Sequence, residues 1–81
     1  VYPNPVMDGR TAIAYELYNN ARVSVQLRNE TGLLLQTLLQ NEGQQKGRHS
    51  LGLDMSHLQA GIYFLEINVD HQKQIQKLVK Y

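Results

Sequence analysis

Cysteine and tryptophan are both absent from the 81 residues. Without cysteine there is no disulfide and no thiol chemistry, so the fold must hold by burial and hydrogen bonding alone. Without tryptophan, a carbohydrate-binding platform is short of its best planar surface, and only Tyr18 is placed to face outwards. Charge of one sign is also missing. Eight Lys and Arg stand against seven Asp and Glu, a net charge of +1. That gives no field to draw in nucleic acid or an anionic membrane. No apolar run approaches the roughly 20 residues that span a bilayer, and no basic region followed by an apolar one opens the chain as a signal peptide would. Val1 begins in mid-pattern, so the expectation is a piece of a longer exported protein. Hydrophobic residues make up 42% and charged residues 19%, the balance of a folded domain rather than a disordered segment. At this length one domain, residues 1–81, is expected. It buries only roughly 60% of its unfolded surface.

The apolar residues that are there recur with a period of two, and no stretch has helical periodicity. Residues 1–6 carry Pro3 and Pro5, which remove two backbone donors. This segment reads as an extended edge or lead-in. Asp8-Gly9 marks a turn. Residues 11–18 then place Ile13, Tyr15 and Leu17 on one face. Residues 22–28 alternate most clearly, with Val23, Val25 and Leu27 on one side and Arg22, Ser24, Gln26 and Arg28 on the other. Asn29-Glu30-Thr31-Gly32 is a hairpin signal. In residues 33–40 the leucines fall on both faces, so either both are covered or a bulge shifts the register. Residues 41–47 are polar and read as the longest loop. Strands follow at 48–53, 62–69 and 73–81, separated by a corner at 54–61 with room for one 3₁₀ turn and by a hairpin turn at 70–72. Turn signals every ~8–12 residues are the mark of a sandwich. The expected fold is all-β, an immunoglobulin-like antiparallel β-sandwich of about seven strands, counting the lead-in.

The corner is the most informative stretch. Leu53 and Leu58 can plug the open end of a sandwich, and Gly61 tolerates a backbone that a Cβ would strain. Tyr63 opens the next strand with its ring buried, and its hydroxyl needs a backbone acceptor because leaving it unpaired costs about 1–3 kcal/mol. This is the logic of a tyrosine corner.

Catalytic chemistry does not assemble. His49, His57 and His71 lack the spacing of a zinc site and read as exposed polar residues. Ser24, Ser50 and Ser56 lie in no nucleophile elbow, and Ser56 is expected to cap the turn around Leu58. The acids are scattered singly. Asp54 and Asp70 suit turns better than calcium, since no loop repeats Asp at ligand spacing. There is no phosphate-binding glycine loop. No cofactor, metal or small-molecule substrate is therefore expected. Asn29-Glu30-Thr31 also matches an N-glycosylation triplet, although a hairpin already accounts for those residues.

Three separated motifs fall in order along the chain: Tyr2-Pro3-Asn4-Pro5 at the start, Gly61-Ile62-Tyr63-Phe64 after Leu58-Gln59-Ala60, and Lys77-Leu78-Val79-Lys80 at the end. Together, with the 29–32 hairpin between them, they resemble the type A C-terminal sorting domain of the Bacteroidetes type IX secretion system. The leucine-rich strand from Leu33 departs from the pattern, which more often begins there with a charged residue. The resemblance implies an immunoglobulin-like domain at the extreme C-terminus of an exported protein. It implies passage through the periplasm and recognition by the outer-membrane translocon. It also implies removal at the cell surface by a sortase-like peptidase. By resemblance, Pro3, Asn4, Pro5, Gly61, Tyr63, Lys77 and Lys80 are the recognised positions.

Physical chemistry adds that a terminal edge strand can pair with a receptor strand or with another copy in weak self-association. Edge lysines ordinarily discourage such pairing. Substitution of Lys77 and Lys80 is expected to reduce export without unfolding, and Gly61→Val to unfold the domain. The rival reading is a retained fibronectin-like spacer or binding module of a secreted enzyme. Such a spacer should be followed by more chain, whereas Tyr81 reads as an end.

Overall fold

Alternation of β-branched and leucine side chains with polar ones gives strands that each bury one face, and two such faces must meet. The computed structural model describes residues 10–81. It contains six strands: β1 Arg10–Leu17, β2 Ala21–Asn29, β3 Leu34–Gln44, β4 Gly47–Asp54, β5 Gly61–Val69 and β6 Gln72–Lys80. β1 pairs with β4 in a two-stranded sheet, and β3-β2-β5-β6 form a four-stranded sheet, all antiparallel. The two layers close over one core: Ile13, Leu17, Leu53 and Met55 from the β1-β4 side, and Val23, Val25, Leu27, Tyr63, Leu65, Ile67 and Leu78 from the four-stranded side. The order matches strands B and E opposite C′, C, F and G of an immunoglobulin-like sandwich. The described residues thus hold six strands rather than seven. The proline-rich lead-in, with the turn expected at Asp8-Gly9, lies outside them.

Two polar stretches depart from expectation for a physical reason. Residues 41–47 are strand almost throughout, because β3 runs to Gln44 and β4 starts at Gly47. Polarity there marks a solvated edge rather than a loop, since Glu42, Gly43 and Gln44 pair their backbones with Val23, Arg22 and Ala21. The ambiguous leucines are explained by bulges. Val25 faces Leu39 and Gln26 faces Thr37; Leu27 faces Gln36 and Arg28 faces Leu34. Each of these two shifts inserts an extra β3 residue and reverses the parity of the pairs beyond it. Leu38 and Leu39 pack on the core while Leu33, Leu34 and Leu35 are exposed.

The strand ends define two poles. The corner between β4 and β5 and the 29–33 hairpin share one pole, because Asn29 faces Tyr63 and Arg10 faces Asp54. At the other pole Tyr15 stacks on His49 with ring centroids 5.4 Å apart, and its hydroxyl donates to Gln44 Oε1 across the layers. Burial raises the Tyr15 pKa, against the effect of that bond. His49 is therefore half-buried rather than exposed, with Nε2 2.7 Å from the Gln45 carbonyl.

Candidate recognition site

The corner at residues 54–60 is held from four directions. Asp54 makes an Asx turn, its Oδ1 accepting from the Ser56 amide at 2.9 Å. Hydrogen bonds from Ser56, through side chain and backbone, hold the Asp54 carboxyl below its ordinary value. The cap is thus Asp54, with Ser56 as the donor rather than the cap. One hydrogen-bonded turn follows, Leu58 N–H donating to the Met55 carbonyl at 3.0 Å. Tyr63 is 7% exposed, and its hydroxyl donates to the Gln59 carbonyl at 2.5 Å. That is the tyrosine corner expected from Gly61 and Tyr63.

The fourth hold comes from Lys80. Its Nζ donates to the Met55 carbonyl at 2.6 Å and also to the Leu58 carbonyl. Two backbone acceptors that the turn alone leaves open to further bonding therefore receive a charged donor, the stronger class of hydrogen bond. Register explains how Lys80 arrives. Leu78 faces Tyr63, and Lys80, two residues on, faces Gly61 on the same inward side. Lys77 faces Phe64 on the opposite side of the sheet and is exposed. Residues three apart on a strand face opposite sides, and the register shows that Lys80 is the one that faces in.

Met55 is the residue that the motif reading passes over. It is fully buried, and with Leu53 it forms the plug, whereas Leu58 is only half-buried. A signal for it exists in the alternation Leu51-Leu53-Met55, which carries the inward face one step beyond the strand. Gly61 has φ +156° with open space where a Cβ would stand. The demand for glycine there is one of backbone conformation and not of room.

Of the seven positions expected to be recognised, Gly61, Tyr63 and Lys80 therefore come together at one pole, and Lys77 stands on the outer face beside them. Pro3, Asn4 and Pro5 lie outside the described residues. The outer face carries an ionic cluster around Glu66, with Arg28 Nε at 3.1 Å and Lys73 Nζ at 3.4 Å. Burial alone would raise the Glu66 pKa, but hydrogen bonds from Asn68, Arg28 and Lys73 outweigh it and hold the carboxyl low. Asn29 serves the hairpin: its Oδ1 accepts from Thr31 N, Thr31 Oγ1 and Leu33 N at 3.0, 2.7 and 2.9 Å. The side chain of the glycosylation triplet is thereby engaged in an Asx turn. Asp70, at φ 54° in the β5–β6 turn, accepts from the Arg22 amide of β2 at 3.0 Å and so ties that turn to the neighbouring strand. Among the described residues, no three His, Asp or Glu side chains converge as a metal site would require.

A family model described as a secretion system C-terminal sorting domain matches residues 1–81. The chain belongs to that family. A sorting domain of type IX secretion directs its parent protein to the cell surface or beyond through the secretion machinery, and the family is one of signals rather than enzymes. A search among curated proteins returns no match.

Proposed function

We propose that the folded chain, as a single domain of a larger exported protein, is read in the periplasm by the outer-membrane translocon. A sortase-like peptidase at the surface of a Bacteroidetes cell then removes it. The recognised positions are Pro3, Asn4, Pro5, Gly61, Tyr63, Lys77 and Lys80. The observation that carries this reading is the convergence of Gly61, Tyr63 and Lys80 on the 54–60 corner, although Lys80 comes from a strand far along the chain. Recognition of a fold fits that arrangement better than recognition of a linear peptide, because residues so far apart in sequence meet only after folding.

The test is export of a periplasmic reporter fused ahead of residues 1–81, with mass spectrometry of the mature C-terminus. The expected product is surface-exposed reporter without the domain. Reporter held in the periplasm would overturn the sorting role, and surface reporter still carrying the intact domain would overturn its removal.

A further inference from the structure

Lys80 holds the corner from 25 and 22 residues away in sequence, at the Met55 and Leu58 carbonyls. Three other corner bonds are local: Leu58 to Met55, Ser56 to Asp54 and Tyr63 to Gln59. None of those three depends on the last strand. β6 pairs with β5, and Lys80 is its last residue. Strand ends fray at lower free energy than the middle of a sheet opens.

We infer that Lys80 is a latch: by binding the Met55 and Leu58 carbonyls, its ammonium makes the shape of the 55–60 corner conditional on β6 being docked in register. The dependence on register comes from the pleat. Lys80 reaches the inward side only because it faces Gly61, and a slip of one residue turns it to the outer face. Loss of β6 or a slip therefore frees two carbonyls and loosens the corner, while Asp54 and Tyr63 keep their own bonds. A partner that contacts only the exposed corner, at Ser56, His57, Gln59 and Ala60, thereby senses whether the final strand is complete without touching it. Lys77 has no part in this, because it lies on the other side of the sheet. This sensing role rests on the proposal above that the folded corner is recognised. The latch itself does not.

Hydrogen exchange on the full chain separates the two. In Lys80→Met, amides of residues 55–60 are expected to exchange about tenfold faster or more, the scale of losing a charge-assisted bond. Amides of the β2–β5 ladder, such as Val25 and Ile67, should speed up by no more than the loss of global stability accounts for, and Lys77→Met should leave the corner unchanged. Unchanged exchange at 55–60 in Lys80→Met would overturn the latch. Should that variant fail to fold, the unaltered chain decides by lysine-ammonium NMR. The Lys80 ammonium protons should exchange at least about tenfold more slowly than those of Lys46, which is exposed between β3 and β4; equal rates would overturn the latch. The same variants, fused to the reporter, give the other arm. A loosened corner with export lost supports the sensing role. A loosened corner with normal export keeps the latch and overturns recognition of the corner.

Discussion

Tyr63 and Lys80 stand on neighbouring strands and grip one short loop from two sides, the phenol at the Gln59 carbonyl and the ammonium at the Met55 carbonyl, at 2.5 and 2.6 Å. Groups that hold the same element should couple. Tyr63→Phe removes one neutral hydrogen bond and is expected to cost about 1 kcal/mol. Lys80→Met removes charge-assisted bonds and should cost about 1–3 kcal/mol. The double variant should depart from additivity by about 0.5 kcal/mol or more. Urea unfolding of the four proteins measures it, and strict additivity would show that the two side chains act separately.

Met55 fills the end of the core, fully buried. Met55→Ala should destabilise by about 2–5 kcal/mol through lost burial and the cavity left behind. Met55→Leu, close in volume, should cost less than about 1.5 kcal/mol. Chemical denaturation distinguishes them, and equal costs would mean that the site collapses around the smaller side chain.

Acid should weaken the fold partly through Glu66. Its carboxyl is held low in the folded chain. The resulting stability is present above the ordinary carboxylate range and is lost as pH falls from about 5 through the depressed folded value. Thermal unfolding across that range should show a flatter acid limb for Glu66→Gln than for wild type. Parallel curves would assign the acid sensitivity to other groups, Asp54 among them, whose pKa is also lowered.

Asn29 accepts three hydrogen bonds within its hairpin. Asn29→Ala should cost about 1–2 kcal/mol, and Asn29→Asp, which keeps an accepting oxygen, appreciably less. Equal losses in denaturant titrations would show that the Asx turn adds nothing to stability.

Much of this architecture was legible because period-two alternation is a local signal. Val23, Val25 and Leu27, and Tyr63, Leu65 and Ile67, are inward-facing as read. Gly61 followed by Tyr63 announced the corner, since a buried phenol needs a nearby acceptor. The pairing of β3 was not legible, because bulges reset parity by amounts that depend on β2 and not on the leucines themselves. Nor was β3's extension through polar residues, because a solvated edge asks for backbone partners and not for apolar side chains. Lys80 was hidden for a third reason. A lysine at a strand end looks the same whether it guards an edge or reaches back to a carbonyl, and only the register against Gly61 tells them apart. His49 was misjudged similarly, since its half-burial comes from facing Tyr15 on β1.

The facing of Arg10 and Asp54 has a consequence for what a partner meets at this pole. β1 starts beside the corner that Tyr63 and Lys80 organise, and Arg10 is exposed there. A protein that grasps the corner must share its footprint with the head of β1, so it touches both layers of the sandwich at once.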